Sequence, residues 1–287
     1  MLRFFVAAVL LQAAIAAAPP AGAVNSGGSA AFLAALPARL AVPRHGPRRV
    51  LLASYGAMFV AKGVELPPTV LFTSAEQCAA WQARVPQRSA RLNGVVIELQ
   101  PAAMTALLAA ESDARARGWR IVPTGADASR RDYASTLRLW RSRVNPGLRY
   151  WVARGKLAAS RAEEISNLPA AEQLGPILDL ERQGIFFSLD RRKPILESVA
   201  APGSSQHLAM LALDVRGSGQ AGLRAVLARH GWYQTVATDT PHFTYLGVTE
   251  VELERLGLRA ERRAGRTYWL PVVPPGAELA ARAVALH

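Results

Sequence analysis

His207, Asp214 and His242 are the residues of this chain with the most specific chemistry. The first two lie in Ser205-Gln206-His207-Leu208-Ala209-Met210-Leu211-Ala212-Leu213-Asp214-Val215, the third in Asp239-Thr240-Pro241-His242-Phe243. Two imidazoles and one carboxylate give a borderline-soft cation such as zinc three protein ligands and leave a fourth position open. Zinc lowers the pKa of a water molecule to near neutrality and so makes it a nucleophile, the means by which such sites hydrolyse amides. Asp239, three residues before His242, adds a second carboxylate to the set.

The spacing Ser-x-His-x6-Asp, with an acidic residue three before a late His, resembles the zinc D-Ala-D-Ala carboxypeptidases. That family includes vancomycin-resistance D,D-carboxypeptidases and L,D-specific phage-lysin peptidases, and it shares a fold with the hedgehog signalling domain. The resemblance implies that His207, Asp214 and His242 are zinc ligands and that Asp239 is the general base. An upstream block, Arg131-Asp132-Tyr133-Ala134-Ser135-Thr136-Leu137-Arg138-Leu139-Trp140, is similar to the family's Arg-Ser-x3-Gln-x2-Leu-aromatic helix. By the same resemblance Arg131 and Ser205 contact substrate, and Arg131 is expected to pair with the substrate's terminal carboxylate through its planar fork. The chain departs from the pattern at four places: Asp239 stands for the usual Glu, Met210 for Gly, Thr136 for Gln, and Pro241 for Trp. The resemblance spans roughly residues 97–247.

Positioning three ligands on one ion constrains the backbone. Fully extended at about 3.3 Å per residue, His207 and Asp214 would lie roughly 23 Å apart, so the chain must turn between them. Leu208 to Leu213 is apolar without alternation, the pattern of a segment covered on both faces. Gly is commonly part of the turn in the family, and here Met210 occupies that point.

Around these residues the pattern reads as α+β: a small, mainly antiparallel sheet with flanking helices, hedgehog/DD-peptidase-like, plus an N-terminal extension. Residues 24–45 read as a linker, and 46–96 as a subdomain or extension with strand-like runs at 49–53 and 69–72. A helix opens at Ser74, where Ser and the Gln three later form a capping-box pattern. The zinc domain is expected over 97–275. Its elements are a strand at 94–99, helices at 101–117 and 132–143, and strands at 119–123, 208–215, 232–236 and 243–247. A helix at 220–230 and another opening at Thr249 complete it. Residues 144–203 form a long connection with short helices near 158–164 and 170–173, and connections this long are usually functional.

Targeting and composition set the location. Met1-Leu2-Arg3, the apolar run Phe4 to Ala18 and Ala21-Gly22-Ala23 read as a signal peptide over residues 1–23. The run is shorter than the roughly 18–20 residues that span a bilayer, so the mature protein is expected to be secreted, periplasmic or cell-envelope, and not an integral membrane protein. Cys78 is the only cysteine, which excludes an internal disulfide and a multi-thiolate metal site. A net charge of +13 favours acidic partners. For a secreted chain these are the anionic wall or lipid, and not nucleic acid.

Two rival motifs are weaker. Gly217-Ser218-Gly219-Gln220-Ala221-Gly222 fits the dinucleotide fingerprint, but no strand–helix repeats build the parallel sheet that fingerprint needs, so no dinucleotide is expected. Gly203-Ser204-Ser205-Gln206-His207 lacks the second Gly of a nucleophile elbow. The expectation is a secreted zinc metallopeptidase acting on peptidoglycan stem peptides, most specifically a D-alanyl-D-alanine carboxypeptidase. The alternative is a non-catalytic, zinc-containing cell-wall binding protein of the same fold.

Overall fold

The computed structural model describes residues 26–274; the signal peptide expected over 1–23 lies outside the described residues. The chain begins with α1 (Ser26–Ala35) and α2 (Pro47–Tyr55), then a 3₁₀ turn (Gly56–Val60) and α3 (Ala75–Gln82). A hairpin of β1 (Arg88–Leu92) and β2 (Val95–Leu99) leads into α4 (Pro101–Ala116), β3 (Val122–Pro123) and α5 (Tyr133–Ala153). Then come α6 (Ala159–Asn167), α7 (Leu174–Glu181) and 3₁₀ turns at Ile195–Glu197 and Gln206–Ala209. The rest is β4 (Ala212–Arg216), α8 (Ala221–Arg229), β5 (Trp232–Tyr233), β6 (His242–Tyr245), α9 (Glu250–Arg255), β7 (Leu258–Arg263) and β8 (Arg266–Pro271). The architecture is α+β. Among the described residues a four-stranded antiparallel sheet runs β3-β4-β6-β5, flanked by two separate hairpins. No helix among them is long and apolar enough to cross a membrane.

The N-terminal third departs most from the sequence reading. The run at 49–53, read as a strand, is helical: Pro47 sits in the first turn, where its missing N–H costs nothing. Leu51, Leu52 and Tyr55 then fall at helical spacing on a buried face. The run at 69–72 forms no strand. The Ser/Gly/Ala-rich stretch read as a linker contains α1, because Phe32 is fully buried and anchors it. Phe32, Leu52 and Phe72 belong to the same continuous core as Leu99, Trp140, Leu213 and Trp269, and the boundary expected at 96/97 falls inside β2. Ser74 does cap α3, accepting from the Gln77 N–H.

Helix α5 runs on through Pro146 to Ala153, past its expected end at 143. Val144 and Leu148 are buried, and a Cβ on Gly147 would lie 2.5 Å from the Phe187 ring. Packing of this face offsets the hydrogen bond that proline removes. The long connection is itself pinned. Buried Glu181 accepts from the N–H groups of Phe187 and Ile195, and burial lifts its carboxyl from 4.5 to about 7. The Gly-rich turn after β4 has a packing explanation: a Cβ on Gly222 would lie 1.7 Å from the Trp119 indole.

The apolar segment 208–213 divides where the metal reading requires a turn. Its first half is the 3₁₀ turn, and Met210 then adopts the left-handed conformation (φ 55, ψ 35) that reverses the chain into β4. Met210 therefore adopts the conformation that Gly favours. The left-handed backbone costs roughly 1–2 kcal/mol. The Met210 side chain is fully buried, and truncating such a side chain costs roughly 2–5 kcal/mol. Burial wins. Met210→Gly is expected to lower stability by about 1–3 kcal/mol, read from the urea midpoint. A variant as stable as the parent would show that strain outweighs packing here.

Candidate metal centre

Strand pairing supplies two corners of the centre. The β4–β6 register sets Asp214 directly opposite His242, and opposed residues of neighbouring strands project to one face with Cβ atoms about 4.5–5.5 Å apart. The third corner comes from the 3₁₀ turn, which the left-handed Met210 folds back over the sheet. One ligand atom from each of His207, Asp214 and His242 lies within 4.8 Å of the others. His207 and His242 are 1% and 4% exposed.

Hydrogen bonds fix which atoms face inward. His207 Nδ1 lies 2.8 Å from the Ser129 carbonyl oxygen. A carbonyl only accepts, so Nδ1 carries the proton and a neutral ring presents a lone pair at Nε2. His207 Nε2 is buried without a hydrogen-bond partner and sits 3.3 Å from Asp214 Oδ1. At His242 the roles of the two nitrogens are exchanged. Nε2 lies 2.7 Å from Gln206 Oε1, and Gln206 Nε2 donates to the Tyr55 carbonyl, which orients the amide. His242 Nδ1 then faces Asp214 Oδ1 at 3.1 Å. Two imidazole lone pairs and a carboxylate oxygen thus converge with no proton among them. The arrangement repels itself unless the rings take up protons or a cation sits between them.

A cation fits. Donors about 2.05 Å from a zinc ion at the tetrahedral angle lie about 3.3 Å apart, close to the two separations here. The set of two nitrogens and one oxygen suits zinc, and two of the donors are buried. Arg131 completes the support: its Nη2 donates to Asp214 Oδ2 at 2.6 Å, leaving Oδ1 for the cluster, and its Nε donates to the Asp127 carbonyl.

Burial alone would raise the Asp214 carboxyl; protons on the two imidazoles outweigh it and hold the group well below the usual carboxylate range, the part a cation takes when the rings are neutral. Burial pushes His207 down, against the pull of Asp214, and so favours the neutral ring a metal requires. Asp239 is pushed up by burial and by the charge of Asp214, with His242 opposing.

A cavity of about 200 Å³ opens onto the cluster and gathers the other residues singled out from sequence. Asp239, Arg131 and Ser205 all line it. Ser205 also caps the 3₁₀ turn, its hydroxyl accepting from the His207 N–H. The geometry puts Arg131 on a cluster carboxylate, where the family resemblance implied contact with substrate. Cys78 is buried away from solvent and its thiol is raised to about 11 by that burial.

Sequence reasoning missed Gln206, Tyr55, Arg143 and Ser198, which also belong to the cavity wall. Gln206 had no signal of its own, since its value lies in a partner 36 positions away. Arg143 was legible in principle: with Thr136 and Leu139 it falls at i, i+3 and i+7 of one helix, a single face.

No family model and no curated protein matches the chain. Among solved structures, a zinc complex of a mutant of VanY, the vancomycin-resistance D,D-pentapeptidase of a VanB-type resistance cassette, is distantly similar. The match covers 60% of this chain and 84% of that one at 17% identity, with a TM-score of 0.34.

Outer partners of metal-bound histidines typically contribute 10–100-fold to affinity. Gln206→Leu is accordingly expected to weaken zinc binding by about 10–100-fold in competition with a chromogenic chelator. Unchanged affinity would remove Gln206 from the centre.

Proposed function

We propose that this chain is a secreted zinc peptidase that hydrolyses peptidoglycan stem peptides, most specifically a D-alanyl-D-alanine carboxypeptidase. One observation carries the reading: the lone pairs of His207 and His242 converge on Asp214 Oδ1 beneath an open cavity. The substrate class comes from the Ser-x-His-x6-Asp resemblance, and the place of action, periplasm or cell envelope, from the leader-like residues 1–23.

His207, Asp214 and His242 would hold the ion. Zinc bound there would polarise the scissile carbonyl and acidify a water molecule. The protein's own groups do the rest. Asp239, on the cavity wall, takes the proton from the attacking water and returns it to the leaving amine, the task of a general base that then acts as acid. The Ser129 carbonyl and Gln206 keep the protons of both imidazoles on the outer nitrogens, so that neither ring competes for that proton. Arg131 donates to Asp214 Oδ2 and so leaves Oδ1 for the ion. Ser205 fixes the turn that carries His207 and, at the cavity wall, meets substrate.

Asp239→Ala is expected to lower hydrolysis of uncross-linked muropeptides by about 10²-fold or more while the protein keeps its zinc. Product release is read by mass spectrometry. Full activity in that variant would end the role of Asp239 as base. Zinc-loaded wild type that turns over neither cross-linked nor uncross-linked muropeptides would leave the non-catalytic wall-binding protein, a reading favoured by the shorter Asp at position 239.

A further inference from the structure

We propose that Arg143 is the specificity residue that receives a free C-terminal carboxylate in the cavity. The proposal deepens the peptidase reading and rests on it for the identity of the substrate.

The charge inventory of the cavity leads there. Two arginines line it. Arg131 is already opposed by Asp214 at 2.6 Å, with both side chains largely buried, so its charge is matched before any ligand arrives. Arg143 makes no salt bridge among the described residues. Its Nε donates to the Ser198 hydroxyl at 3.2 Å and its Nη1 to the exposed Ser142 hydroxyl at 2.8 Å. Its Nη2 has no hydrogen-bond partner among the described residues. Both partners are neutral, so the guanidinium is positioned without being neutralised. Ser198 takes the Nε–H and Ser142 one N–H of Nη1, and the N–H groups of Nη2 are left to an anion such as a carboxylate.

The surroundings select what that carboxylate belongs to. Arg143 sits at the end of the α5 face that begins with Thr136 and Leu139. Val199 and Ala200, which follow the Ser198 held by Arg143, line the same cavity. A cation beside small apolar groups suits a peptide whose terminal residue has a small apolar side chain. Asp239 lies in the same cavity, within the site where the proposed reaction occurs. A site that must bind a terminal carboxylate acts at chain ends and does not cut within a cross-linked chain. This assigns to Arg143 the part that the sequence resemblance gave to Arg131, whose fork is occupied.

The test is equilibrium binding of N-acetyl-D-alanyl-D-alanine and of its C-terminal amide to the full chain, followed by NMR titration. Turnover of muropeptides is measured on the same preparations. Hydrogen bonds to charged groups contribute enough for roughly a 10- to 100-fold preference for the acid over the amide in wild type. Arg143→Ala should abolish the preference by weakening only the acid. Arg143→Gln keeps the length and a donor without the charge, and should lose most of it. Arg141→Ala, an exposed position on the same helix, should retain it. A preference that survives Arg143→Gln, or no preference in wild type, overturns the proposal. The two readings separate cleanly: an Arg143-dependent preference without turnover sinks the peptidase and keeps the carboxylate site. Turnover with an Arg143-independent preference does the reverse.

Discussion

Three electron pairs pointed at one place are the constraint on which this site depends. His207 Nε2, His242 Nδ1 and Asp214 Oδ1 face one another across 3.1–3.3 Å contacts, with the protons of both rings drawn to the far side by the Ser129 carbonyl and Gln206. Such a cluster costs free energy in a buried setting unless a cation compensates it. The surrounding structure holds it in place all the same. Strand register opposes two of the groups, the left-handed Met210 delivers the third, and Arg131 turns the carboxylate so that one oxygen remains for the cluster. These features share one consequence, a preformed cluster of donors that could hold a metal ion.

The support is hierarchical. Gln206 ties the 3₁₀ turn to the sheet: its amide group reaches the Tyr55 carbonyl on one side, and His242 and the Thr244 hydroxyl on the other. The residue just before His207 therefore positions His242, and a disturbance at either ligand is felt at the other. Thr244 follows His242 by two on the same face of β6, opposite Ala212 in the register. The small residue at 212 leaves room for this layer.

The His–Asp–His cluster was legible in the sequence because its spacing is a property of the chain. His207, Asp214 and His242 could be read from composition and order, and so could the need for a turn near residue 210. Their supporting residues could not, because the contacts of Gln206 and Arg131 span 36 and 83 positions. Helices α4 and α8 announced themselves through Pro101, Gly118 and the apolar periodicity between turns. The region 46–73 misled for an equally physical reason. Short apolar runs such as 49–53 carry no periodicity long enough to separate a strand from one face of a helix, and tertiary contacts of Leu51, Leu52 and Tyr55 decided the matter. The end of α5 was misplaced because Pro146 is a local stop signal that the packing of Val144 and Leu148 overrides.

The most direct measurement is the metal content of the purified protein, compared between wild type and His242→Ala. The account predicts about one zinc per chain in wild type, the number a single three-ligand site holds, and its loss in the variant. Folded wild type that stays metal-free after exposure to zinc would contradict it, as would zinc retained in His242→Ala at the wild-type level.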